Sequence, residues 1–563
     1  MTRSAPTSDT GAAGDRVDRR GFVGRSIAAG TALLVTPAAK RAAPRVVPDE
    51  RTVAARVWAA PLPPDPLFER TIAQLRADME TGGLTARALT QRYLDRIGAM
   101  DKHGPAVNAV IELNPDATAI AGQCDAERRS GQLRGPLHGI PVLLKDNIDS
   151  ADKMHTSAGS LALALNTPPR DAFIGERLRA AGAVLLGKTN RSEWAHWRST
   201  RSTSGWSGRG GLTRNPYVLD RNPCGSSSGT GAAIAADFAA VGIGTETDGS
   251  IICPSSICGL VGVKPTVGLW GRSGIIPISA SQDTAGPMAR CVADAAALLG
   301  ALTGVDPRDP ATRASAGRSV ADYARSLHAG GLKGVRIGVA RNLAGFNADV
   351  DAAFDRAIAA MKDAGAVVIE KADLATAGKF DDSERIVLDY EFKAGLNAYL
   401  SSLGASAPVK SLAALIEWNE RERAHEMPWF GQEIFLRAQK RGPLTDRKYL
   451  EARARCLRLA RTNGVDAVLS KHTLDAIVCP SNQPAWTTDL LNGDHFTGGN
   501  TSFAAVAGYP SVTVPMGLVH ELPVGLSFIG RAWSEGPLLN YAYAFEQQTT
   551  ARRSPRYLPT FAA

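Results

Sequence analysis

Two serine-bearing glycine loops lie close together in the segment 224–254, CGSSSGTGAAIAADFAAVGIGTETDGSIICP. Ser226 sits in the first, GSSSG, and Ser250 in the second, TDGSI, 24 residues apart. Upstream, in GIPVLLKDN, Lys145 ends a short apolar run. A serine hydroxyl is a poor nucleophile until a base takes its proton. A lysine becomes that base when burial lowers its pKa, because a low-dielectric site disfavours the ammonium. The run Pro141 to Leu144 suits a buried strand, which would place Lys145 in such a site. Glycine-rich chain on both sides of Ser250 lets backbone N–H groups turn toward a reacting carbonyl, as an oxyanion site requires. Ser227 is positioned to hydrogen-bond Lys145 and orient it. Asp146 would alternate to the opposite face of an extended chain, so it takes no direct catalytic role. Taken singly, Lys145 and Ser226 read as a surface lysine and a flexible turn. Taken together, the three residues read as one catalytic unit.

The same segments resemble those of the amidase signature family of Ser–cis-Ser–Lys hydrolases, with the greatest similarity to the bacterial peptide amidases. The resemblance runs from about Thr71 to about Leu558. It is carried by GPLHGIPVLLKDNID, GAVLLGKTN, NPCGSSSG, GTETDGSI, GVKPTVGL, QDTAGPMAR and GYPSVTVPMG, in that order. It implies Ser250 as nucleophile, Ser226 as the bridging serine after a cis peptide bond, and Lys145 as general base. It also implies that residues 247–250 form the oxyanion loop, in one large domain around a mixed sheet. Relatives that act on substrates with a nearby carboxylate carry an arginine two or three residues after the nucleophile. Here those positions are Ile252 and Cys253, and a neutral pocket would not pair a free acid. A peptide C-terminal amide fits better, released as acid plus ammonia. The alternatives are a broad aliphatic or aryl amidase and, from another class, a non-catalytic or amidotransferase-type subunit.

Two other patterns compete for these residues. Gly182–Thr189, GAVLLGKT, matches a phosphate-loop pattern, but its four middle residues are apolar and suit a buried strand instead. Gly225–Gly229 matches G-x-S-x-G, which would make Ser227 an elbow nucleophile with a distant Asp and His. An elbow follows a strand directly, whereas Pro223 precedes this one and cannot donate to a ladder.

The remaining elements must hold these loops in place. Apolar residues recur at helical spacing at Ile72, Leu75 and Met79, then at Leu89, Tyr93 and Ile97, with Gly82-Gly83 between the two helices. Strands are expected at 108–113, 183–186, 335–340, 366–369, 474–479, 511–514 and 526–529. Helices are expected at 117–130, 173–181 and from Val350 to Met361. Alternation of this kind indicates an α/β fold, a mixed sheet covered by helices on both faces. The stretch 381–456 is rich in charge and large apolar residues and reads as a helical, substrate-side wall. The turn Asn492–His495 is polar and can face the pocket.

Ahead of this domain, residues 71–558, lie a leader at 1–45 and a Pro-rich linker at 46–70. Arg19-Arg20 precede an apolar stretch from Ser26 to Val35, with small residues following. This is the layout of a twin-arginine export signal, so a periplasmic or secreted enzyme is expected. A net charge of +9 is scattered along the chain rather than gathered in a basic run, which argues against a nucleic-acid partner. No run in the mature chain reaches membrane length. Seven cysteines at scattered positions do not read as a disulfide framework, although Cys253 and Cys258 are close enough in sequence to oxidise. The histidines include no HExxH, and no Cys/His group has zinc spacing. No metal and no cofactor are expected, in a monomer or small homo-oligomer acting on a small or peptide amide.

Overall fold

The computed structural model describes residues 65–404 and 407–561. The leader at 1–45 and most of the linker lie outside the described residues. The apolar run before Lys145 forms strand β2, Pro141–Lys145, and all five residues are buried. It lies between two parallel partners, β3 (Val184–Thr189) and β6 (Val241–Glu246). A strand so placed is covered on both faces, which is why its sequence is continuously apolar rather than alternating.

These three strands belong to an eleven-stranded mixed sheet among the described residues. Its other members are β1 (Val110–Leu113), β7 (Val261–Lys264), β8 (Thr284–Ala289), β9 (Arg336–Val339), β10 (Val367–Ile369), β11 (Ala476–Pro480), β12 (Ser511–Val519) and β13 (Leu522–Ile529). The order is β1-β3-β2-β6-β8-β7-β12-β13-β11-β9-β10. Strand β9 runs parallel to β10 and β11, and the remaining neighbours outside β3-β2-β6 are antiparallel. A separate hairpin joins β4 (Trp206–Ser207) to β5 (Gly211–Leu212).

The α/β fold with a mixed sheet is the one expected. The last six residues of GAVLLGKT form β3 and the whole stretch is buried, so it cradles no phosphate. The helices Ile72–Glu80 and Ala86–Met100 form with Thr71 and Thr85 as N-caps, each accepting from a backbone N–H of the first turn. Strands β6 and β8, VGIGTE and TAGPMA, escape periodicity because glycine and proline replace β-branched residues. Packing explains the glycines of β6. A Cβ at Gly242 would lie 2.7 Å from Thr230 Cγ2, and one at Gly244 would lie 2.8 Å from Ser227 Oγ. Only glycine lets the helix Ser228–Ala235 and the serine loop before it approach β6 this closely.

Residues 381–456 are helical as expected, with helices at Asp381–Ser402, Leu412–Arg421, Arg423–Glu426, Glu433–Gln439 and Arg447–Cys456. They bury Phe392, Leu396, Leu412 and Phe435 in a cluster with Trp194. No helix among the described residues is long and apolar enough to cross a membrane.

Candidate active site

Lys145 occupies the last position of β2 with no solvent exposure. Its Nζ lies 2.8 Å from Ser226 Oγ. It also lies 3.0 Å from the Thr245 carbonyl oxygen and 2.9 Å from Thr245 Oγ1. Burial holds the lysine pKa well below its ordinary value, and the charge of Arg191 depresses it further. Glu246 and Asp283 oppose the shift. A neutral amine has two N–H groups and one lone pair. With the two donors spent on Thr245, the lone pair faces the Ser226 hydroxyl and can accept its proton.

The peptide bond Gly225–Ser226 is cis. A Cβ at Gly225 would sit 2.1 Å from Ser192 Oγ, so this turn has room only for glycine. Ser227 does not orient the lysine. Its Oγ donates to the Thr245 carbonyl at 3.1 Å and accepts from the Thr245 N–H at 3.2 Å. As the cap residue of the helix Ser228–Ala235, it points back onto β6, and Thr245 takes the orienting position instead. Those bonds also remove Ser227 as an elbow nucleophile. Asp146 faces away from the relay, as expected, and accepts from the backbone N–H groups of Ser157 and Gly159.

Ser250 lies in the loop after β6, mostly buried. Its carbonyl oxygen accepts from the Ser227 N–H at 3.2 Å, which ties the two serine loops together. Among the described residues its hydroxyl makes no hydrogen bond. A hydrogen bond thus links Lys145 to Ser226, and none links Ser226 to Ser250. The backbone N–H groups of Thr247, Asp248, Gly249 and Ser250 donate to no group among the described residues. Gly249 has φ +80°, a conformation that favours glycine. The loop is pinned by carboxylates. Glu246 Oε2 takes the N–H groups of Ile251 and Ile252 at 2.7 and 2.9 Å. Asp248 accepts from Thr501 and Ser502, and Asp283 accepts from Thr247 Oγ1.

A disulfide joins Cys224 to Cys253, bridging the residue two before Ser226 to the residue three after Ser250. The sequence suggests neither this bridge nor this pairing. Cys258 remains a buried thiol at the C-cap of the helix Ile252–Ile257. Cysteines 29 residues apart become neighbours only because both loops converge on the end of β6.

Two hollows flank this junction. A chamber of about 470 Å³ is lined by Ser226, Thr245, Arg191 and Asn147, with apolar walls from Ile275 to Ile278 and Tyr399. On the other side, a hollow of about 490 Å³ is lined by Gly249, Cys224, Cys253, Asp248, Glu384, Asp494 and Trp486. The helix Asp381–Ser402 reaches both, through Tyr399 in the first and Glu384 in the second. From the polar turn 492–495, Asp494 lines the second hollow. The chamber is not free of cations, contrary to what Ile252 and Cys253 suggest. Arg191, Arg272 and Arg308 reach it from other segments. Thr245, Asn147, Glu246 and Arg191 carry no sequence signal of their own. GTETDGS hints only at the first and third, as neighbours of Ser250.

Away from the junction, Cys124, Glu127 and His138 bring potential metal-ligand atoms within 4.8 Å of one another. Glu127 is already paired with Arg134, and His138 Nε2 lies 2.9 Å from the Cys124 carbonyl.

The Amidase family model matches residues 88–539. A probable amidase of Arabidopsis thaliana is 41% identical over 500 residues, covering 87% of this chain and 92% of that one. A putative amidase of Arthroderma benhamiae is 37% identical over 501 residues, covering 85% and 81%. The solved structure of the native peptide amidase from Stenotrophomonas maltophilia superimposes with a TM-score of 0.83 at 53% identity, covering 87% of this chain and 99% of that one. On this similarity and on its fold, the chain belongs to the amidase signature family, and it is an amidase-type hydrolase.

Proposed function

We propose that the enzyme hydrolyses carboxamides through a seryl ester, with Ser250 as nucleophile, Ser226 as proton bridge and Lys145 as base. One observation carries the reading: a buried, charge-depleted Lys145 Nζ stands 2.8 Å from Ser226 Oγ with its N–H groups occupied by Thr245. Ser250 Oγ attacks the amide carbon. Its proton passes to Ser226 as the Ser226 proton passes to Lys145. The carbonyl oxygen, now anionic, lies in the loop 247–250 and accepts from its backbone N–H groups. Collapse breaks the C–N bond, and the same relay in reverse delivers a proton to the departing ammonia. Water then attacks the ester by the same route and releases the acid.

A peptide C-terminal amide is the favoured substrate. Its support is the 53% identity to a peptide amidase and a chamber large enough for a side chain beside Ser226. The test is ammonia release from a panel of peptide amides and simple aliphatic or aryl amides. Release that requires Ser250, with peptide amides leading, is the expected result. Equal rates across the panel would favour a broad amidase, and no release from any of them would leave a non-catalytic role.

We also propose that residues 1–45 direct export through the twin-arginine route. The paired arginines support it, and so does the Cys224–Cys253 bridge, since disulfides persist in oxidising compartments. Mature protein found outside the cytoplasm, and lost when Arg19-Arg20 become Lys-Lys, is the expected outcome. Cytoplasmic protein with an intact N-terminus would refute it.

A further inference from the structure

Arg191 is 2% exposed and lines the chamber with Ser226. Its Nε donates to the Ser192 carbonyl at 3.2 Å. Its Nη1 is buried and unpartnered, and Nη2 donates to no group among the described residues. The nearest acids are committed elsewhere. Asp146 is bonded to Ser157 and Gly159, Glu193 pairs with Arg198, and Asp283 accepts from Thr247, Ile278 and Ser279. The other two arginines of the chamber are also spent, Arg272 on Asp309 and Arg308 on Glu176 and Asp306.

A buried guanidinium whose forked end meets no anion is costly, and a carboxylate is its best geometric partner. Beside it, Asn147 is 3% exposed, with Nδ2 3.1 Å from Thr245 Oγ1 and Oδ1 unpartnered. The two ends of an amide have nearly the same shape and can exchange places. Turned over, Asn147 would accept from Thr245 Oγ1 and offer its NH₂ as a further donor. The walls at Ile275, Ile276 and Tyr399 suit the methylene groups that would carry such a ligand.

We propose that Arg191 makes this chamber a carboxylate subsite, filled either by an acidic side chain next to the scissile amide or by the acid that the reaction releases. The inference rests on the hydrolase reading above, and it opposes the neutral pocket suggested by positions 252 and 253. Burial lowers the Arg191 pKa to about 10, so the guanidinium stays charged at neutral pH.

The test compares N-acetyl-alanyl-glutamyl amide with the similar-sized methionyl amide on the full enzyme. If the side chain fills the site, wild-type kcat/KM favours the glutamyl amide at least tenfold, Arg191→Met erases the ratio and Arg191→Lys keeps part of it. If the released acid fills it, N-acetyl-leucine inhibits at least tenfold more tightly than N-acetyl-leucinol, and Arg191→Met removes the difference. Should Arg191→Met fail to fold, the wild-type ratios decide alone. Equal rates for the two amides together with equal inhibition by acid and alcohol overturn the subsite. Methionyl amide turnover by the wild type reports separately on the hydrolase reading.

Discussion

Lys145 and Lys188 are both fully buried, on adjacent parallel strands, with Leu144 opposite Lys188 and Lys145 opposite Thr189. Burial lowers the pKa of each. Their surroundings differ. Lys188 donates to the Ile148 carbonyl at 2.5 Å and to Thr156 Oγ1 at 3.0 Å, and Asp146, Asp149, Asp152 and Glu112 all favour its charged form. Lys145 has a serine hydroxyl at 2.8 Å, and the Arg191 charge acts against its ammonium. Desolvation alone therefore does not make a base. Fewer carboxylates favour the charged form of Lys145 than that of Lys188, an arginine acts against it, and its amine faces a serine hydroxyl.

Replacing each lysine is the strongest way to break this contrast. Lys145→Ala should lower kcat by about 10² to 10⁴ with little change in melting temperature, since removal of a general base costs roughly this much. Lys188→Met should lower the melting temperature, while soluble enzyme keeps kcat within about tenfold. Equal kinetic losses, read by ammonia release, would erase the distinction. Thr245 sharpens it. Thr245→Val removes the hydroxyl that fixes Lys145 and should cost about 10- to 100-fold in kcat, with Thr245→Ser restoring most of it.

The pH profile gives a smaller effect. The proposed mechanism uses neutral Lys145, so the rate should rise with pH through its lowered pKa and level off well below 10.5, the ordinary lysine value. A profile still rising at pH 10 would mean a lysine that behaves like an exposed one. Stability follows the same sign for Lys264, another buried lysine, whose pKa falls from 10.5 to about 8. The unfolded chain binds the extra proton between those values, so stability climbs with pH from about 8 to 10.5. Lys264→Met should flatten that part of a pH series of melting curves.

The smallest expected effect is at His196. It lies beside Gly225, bonded to Ser202 and Ser204 at 3.2 and 3.3 Å, and burial lowers its pKa. His196→Gln should change kcat by no more than about threefold. A folded, inactive variant would favour a Ser-His-Asp mechanism over the lysine relay.

The chain's own order of residues determined the alternation of strands and helices, the buried end of β2 and the pairing of Lys145 with Ser226. The first two depend on local hydrophobic runs and glycine placement, and the third, across 81 residues, on the order of motifs along the chain. Tertiary structure alone decided that Thr245 rather than Ser227 holds the lysine, that Cys224 joins Cys253, and that Arg191 enters the chamber. Each depends on which side chains meet when β3, β6 and the loops beyond them converge. A glycine that omits a Cβ, or an arginine left without an acid, becomes meaningful only once its neighbours from distant segments surround it.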